Sequence, residues 1–183
     1  MCSLWYFFTK PNTRNNEIFY KYGWWCEYGR AATIDWEKDK LEPSVGKTAN
    51  ENILPNALKD VQEIVKICEE YDIEFILFTN PVHNVTYRAS VQENYLEFLE
   101  GFAKITDFWN FSGLNDVTLN NDNYLETSHY KAEVGDLIID IMCSGKSYPK
   151  LQRQGFGVKV TRENAKEFIS LLKQQAEEYE KLQ

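Results

Sequence analysis

Histidine is the one side chain that titrates near neutrality without help, and this 183-residue chain has two, His83 and His129. His129 stands three residues after a carboxylate in Glu126-Thr127-Ser128-His129-Tyr130. A loop of that length can fold the acid back onto the imidazole. The carboxylate then decides which ring nitrogen carries the proton and stabilises the imidazolium, while the other nitrogen becomes a general base for a hydroxyl. The plainer use of the same residues is a capped helix start with an exposed histidine. A third use, with His83 added, is a metal site of two histidines and one carboxylate.

These residues need elements to hold them. Leu54, Leu58, Val61, Val65, Cys68 and Tyr71 recur at three and four residues and predict an amphipathic helix. Ile73 to Thr79 is a nearly continuous apolar run of the kind found in strands covered on both faces, and it ends at Asn80-Pro81, just before His83. Val91, Tyr95, Phe98, Leu99 and Phe102 predict a second helix, and Ile105 to Phe111 a second strand. Val134, Leu137, Ile138 and Ile141 predict a third helix over Lys131 to Met142. Val158-Lys159-Val160 and Arg162 to Leu182 close the chain as a short strand and a charged helix. Alternating helices and strands predict an α/β fold. Right-handed crossovers make its strands parallel, so their carboxyl ends share an edge where ligands bind. The turn Asn80 to Asn84 and the loop of Glu126 and His129 both fall at that edge.

The boundaries follow these patterns: an aromatic N-terminal segment and loop over 1–52, an α/β region over 53–145, and a strand and helix over 146–183. Within the first segment, Ser3 to Thr9 and Ile18 to Tyr22 are short strand candidates, and Gly23-Trp24-Trp25 is a bend. Ser44-Val45-Gly46-Lys47-Thr48 has the end of a phosphate-binding loop but Leu41 where its first glycine belongs.

Composition excludes several classes. Aromatic residues make up 15% of the chain, which argues for a packed core over disorder. A net charge of −8 argues against nucleic acid as a partner. Lys146, Lys150, Arg153 and Lys159 are interrupted by neutral residues and read as a solvated loop. Cys2, Cys26, Cys68 and Cys143 show neither a CxxC pair nor metal-ligand spacing, so they read as unpaired thiols, and no cofactor is implied. Leu4 to Phe8 is too short for a signal peptide or a membrane span, so a membrane partner is not expected and the compartment stays open.

From Leu54 to Met142 the chain resembles the C-terminal block of the SGNH (GDSL-like) hydrolase superfamily, in particular its polysaccharide O-acetyltransferase-like branch. The resemblance runs through Ile73 to His83, Asp107-Phe108-Trp109-Asn110-Phe111, Tyr124 to Tyr130 and Gly135-Asp136. It implies a partial three-layer sandwich with parallel strands in a flavodoxin-like arrangement, and an acyl-ester hydrolase or O-acetyltransferase acting on an acylated small molecule or polysaccharide. Carried onto this chain, His129 is the base and Glu126, in place of the family's aspartate, its orienter. His83, Asn80 and Tyr130 line the substrate pocket. No first-strand glycine-serine motif matches in residues 1–50, and Gly113-Leu114-Asn115-Asp116 spells the family's oxyanion motif at the wrong place along the chain. The expected site is therefore incomplete, with nucleophile and oxyanion donors supplied from elsewhere. A sheet without its first strands also leaves the Ile73 to Thr79 edge unpaired, which predicts a homodimer or cover from the aromatic N-terminal strands. The alternative is a carbohydrate- or protein-binding module without catalysis, in which Trp24, Trp25 and Trp36 stack on sugar rings.

Overall fold

The computed structural model describes residues 31–44 and 53–182. The strand candidates Ser3 to Thr9 and Ile18 to Tyr22, the Trp24-Trp25 bend and most of the Ser44 to Thr48 segment lie outside them. The fold mixes helices with a small sheet. Helix α1, Ile53–Glu70, agrees with the predicted periodicity. Leu58, Val61, Val65 and Cys68 form its half-buried stripe, whereas Tyr71 is exposed. This stripe meets α3, Tyr95–Ile105, at Gly101. A Cβ there would come within 2.5 Å of Leu58 Cδ1, so the close approach of the two helices depends on glycine.

The single helix predicted around Val91 to Phe102 is two. Helix α2, Asn84–Gln92, ends at Glu93, and α3 starts after Asn94, whose φ of 66° lies in the left-handed region. Asparagine tolerates that conformation better than most residues, and it breaks the helix where the apolar spacing runs on without interruption.

The predicted strand over Ile105 to Phe111 shrinks to β1, Phe108–Asn110. After β1 and a long connection come α4, Ala132–Cys143, a short α5, Pro149–Arg153, the strand β2, Val158–Val160, and α6, Ala165–Lys181. Helix α5 falls where only loop was expected. Proline at its first turn supplies the local reason for it.

The described sheet has two strands and is not the parallel pair expected. β1 and β2 pair antiparallel, Phe108 opposite Val160 and Asn110 opposite Val158. The run Ile73 to Thr79 is extended but forms no ladder. It touches β1 through one parallel bridge, Phe78 to Trp109, closed by Thr79 N to Trp109 O and Trp109 N to Leu77 O, both 2.9 Å. The reason is the shortness of β1 and the absence of cover on the run itself: Ile73 and Ile76 are exposed. The expectation of a strand buried on both faces does not hold there.

Alternation along β1 divides the core. Phe108 joins Leu96, Leu99, Phe168, Ile169 and Leu172 between the strands and the pair α3 and α6. Trp109 packs with the second cluster, where Phe111, Val134, Ile138, Ile141 and Phe156 bring in α4. Gly157, at φ 72°, turns the chain into β2 beneath Ile141, and a Cβ there would lie 2.8 Å from Ile141 Cδ1.

Asn110 ties the end of the short sheet together. Its Oδ1 accepts from Thr79 Oγ1 at 3.0 Å and Ser112 Oγ at 2.8 Å. Its Nδ2 donates to Ser112 O at 2.9 Å and Gly155 O at 2.8 Å. Thr79 Oγ1 in turn accepts from the Phe111 and Ser112 amides. The side chain is fully buried and all its hydrogen-bonding directions are used. This network fixes the point from which Asn80 to His83 leaves the sheet.

Candidate functional site

The loop carrying Glu126 and His129 is a tight hairpin. Tyr124 and Tyr130 form an antiparallel bridge, Leu125 N donates to His129 O at 2.8 Å, and Lys131 N donates to Asn123 O at 2.8 Å. Residues 31–44 brace it from outside: Thr33 N donates to Leu125 O at 2.7 Å, and Thr127 Oγ1 donates to Glu42 O at 2.8 Å.

At the tip, Glu126 Oε1 is hydrogen-bonded to His129 Nδ1. The carboxylate also accepts from Ser128 N at 2.9 Å and from Ser128 Oγ at 2.8 Å. Burial pushes the Glu126 carboxyl up, but the bonds from His129 and Ser128 outweigh it and leave the pKa lowered. An ionised carboxylate in this contact accepts the Nδ1 proton of His129. Nε2 is then left as the basic nitrogen, with no hydrogen bond among the described residues, on a side chain that is 77% exposed.

Ser128 is the residue that sequence reasoning missed. Its Oγ lies 3.0 Å from His129 Nδ1. In a serine triad the hydroxyl meets Nε2 and the acid meets Nδ1. Here hydroxyl and acid crowd the same nitrogen, so Ser128 steadies the carboxylate and His129 cannot serve as its base. Its position between acid and histidine was visible in the sequence. What could not be read was the side of the ring that it meets.

His83 lies next to this hairpin, though in another role. Tyr124 links the two: its hydroxyl donates to Pro81 O at 2.8 Å, and its ring meets His83 edge-on at 5.2 Å. The Glu126 charge is felt at His83. The acid, its imidazole and the turn bearing the second imidazole are thus neighbours, beyond the carboxyl end of the Ile73 to Thr79 run.

The expectation that His83 lines a substrate pocket is corrected. The residue is 1% exposed and caps α2, with Nδ1 accepting from Val85 N at 3.3 Å and Nε2 donating to Asn121 Oδ1 at 2.9 Å. Trp36 packs on its ring at 4.8 Å. Burial lowers its pKa, and the Asn121 bond opposes that only in part, so the ring stays neutral. Asn80 is exposed at the end of the extended run, while Tyr130 is half-buried against the α4 cluster, where burial raises its phenol.

The other motifs are absorbed by structure. Asn115 Oδ1 accepts from the Val117 and Thr118 amides, both at 3.1 Å, so Gly113 to Asp116 is a closed turn whose asparagine oxygen is spent on the chain itself. Lys146, Lys150 and Lys159 pair with Asp140, Asp116 and Asp107. Among the described residues, no group of three or more histidine, cysteine, aspartate and glutamate side chains gathers as a metal site. No helix among them is long and apolar enough to cross a membrane. Comparison with protein-family models, with curated proteins and with solved structures gives no match to this chain.

Proposed function

We propose that this chain carries the base and its orienter for acyl transfer, in the manner of an SGNH-like acyl-ester hydrolase or O-acetyltransferase. One observation carries the reading: Glu126 holds Nδ1 of His129 and leaves Nε2 unpartnered among the described residues on an exposed ring. In the reaction, Nε2 accepts the proton of a hydroxyl as its oxygen attacks the acyl carbonyl. Glu126 stabilises the imidazolium, which then returns the proton to the departing alkoxide.

Because Ser128 sits on the Nδ1 side, the attacking hydroxyl belongs to the acceptor, to water, or to a serine outside the described residues. The same reading takes the fold as part of a flavodoxin-like three-layer sandwich whose parallel pair is residues 77–79 and β1. The Phe78 to Trp109 bridge and the helices packed against both faces of β1 support it.

The test is hydrolysis of p-nitrophenyl acetate by the whole chain, with water or an oligosaccharide as acceptor. His129→Ala and Glu126→Gln should each lower the rate at least about tenfold. A wild-type rate no higher than that of free imidazole at the same concentration, or a smaller loss in His129→Ala, contradicts the reading.

A further inference from the structure

Away from the Glu126 hairpin, α3 and α6 leave a groove of about 400 Å³ between them, within the range of small-molecule sites. Its floor is apolar: Ala103, Ala165 and Ile169 are all buried. Its rim is cationic. Lys104 comes from α3, Arg162 from the residues just before α6, and Lys166 and Lys173 from α6, against a single carboxylate, Glu100. Lys166, Ile169 and Lys173 follow one another at three and four residues, which places them on one helical stripe.

In a chain of net charge −8, four cations gathered on one groove require an explanation. Lys146, Lys150 and Lys159 are neutralised by aspartates, but Lys166 and Lys173 form no ion pair among the described residues. Glu100 is already engaged with Lys104 at 3.2 Å. Arg162 is anchored, its Nη2 donating to Lys104 O at 2.6 Å, and most of the donors of its guanidinium fork stay unspent. The start of α6, where no side chain caps the helix, adds the positive end of its dipole on the same side.

We propose that this groove binds an organic diphosphate, its phosphoryl groups on Arg162, Lys166 and Lys173 and its apolar body on the Ala103, Ala165 and Ile169 floor. Spacing selects the diphosphate. Lys166 and Lys173 stand roughly 10 Å apart along the helix axis, so a lone phosphate reaches one end of the stripe and two linked phosphoryl groups bridge it. The ligand comes either free in solution or as a lipid headgroup, and the chemistry of recognition is shared.

Calorimetric titration of the whole chain with inorganic pyrophosphate and with orthophosphate tests this. Pyrophosphate should bind at least about tenfold tighter than orthophosphate, and added salt should weaken it. Lys166→Gln with Lys173→Gln should weaken it by about tenfold or more, as should Arg162→Gln, while Lys38→Gln should leave it unchanged. The lysine pair has no structural partner to lose, so its result stands even if Arg162→Gln impairs folding.

Co-sedimentation with phosphatidylcholine vesicles, with and without a diphosphate-headgroup lipid, separates the sources. Retention only with that lipid, lost in the lysine double variant, assigns the ligand to a membrane. Pyrophosphate binding without retention assigns it to solution. Failure of both probes to bind, or binding within twofold of wild type in the lysine double variant, overturns the proposal.

Discussion

Asn110 offers the sharpest test of how the site's platform is held, through Asn110→Asp. The substitution keeps the shape of the side chain and replaces two N–H donors with an acceptor oxygen. Ser112 O and Gly155 O, now 2.9 and 2.8 Å from Nδ2, would face an oxygen that carries at most one donor, the O–H of the protonated carboxyl. At least one buried carbonyl is left unsatisfied, at a cost of about 1–3 kcal/mol, before any charge is buried. A domain of this size holds only about 5–15 kcal/mol.

The introduced carboxyl lies in a fully buried position, so it stays protonated well above the ordinary aspartate value. The folded state then binds a proton that the unfolded state has released, and stability falls as pH rises, by about 1.4 kcal/mol per pH unit. Urea unfolding followed by fluorescence at pH 5, 6 and 7 measures both effects. A variant within about 1 kcal/mol of wild type at pH 7 would refute the role given to Asn110, as would a deficit that does not grow with pH.

Two further outcomes follow from the hairpin and the exposed run. The Glu126 carboxyl is lowered below its ordinary value of 4.5, so its contribution is whole above that value and is lost as pH falls through the folded one. In acid titrations the stability gap between wild type and Glu126→Gln should close as the pH falls below about 4. A gap that goes on widening below that pH contradicts the assignment. Ile73 and Ile76 are 55% and 45% exposed along an extended segment whose ladder is unmade. Pairing of two copies there predicts a concentration-dependent dimer in sedimentation velocity and a monomer for Ile76→Lys. A wild-type monomer at every concentration refutes that pairing.

Periodicity placed α1, α4 and α6 closely because each is governed by its own apolar stripe. It failed at Asn94, where a single left-handed residue divides a stripe that looks continuous. The acid–imidazole contact was legible because it is local, three residues within one loop. The burial of His83 was not, since it depends on Trp36 and on the pair Asn121 and Tyr124, two stretches distant from it in the chain. The α3–α6 groove escaped for the same reason, because Lys104 and Arg162 are 58 positions apart and meet only through a carbonyl. The parallel sheet was overestimated because the composition of Ile73 to Thr79 describes a strand, while its ladder depends on a neighbour of equal length.

The general-base role of His129 rests on the proton of one ring. Nitrogen-15 spectra of the imidazoles at pH 8 report it directly, and with two histidines in the chain the signals separate by substitution. His129 should carry its proton on Nδ1 and show a bare Nε2, and it should lose that preference in Glu126→Gln. His83 should show the opposite tautomer, protonated on Nε2. A proton on Nε2 of His129, or a tautomer indifferent to Glu126, would leave the ring without the orientation that general-base chemistry requires.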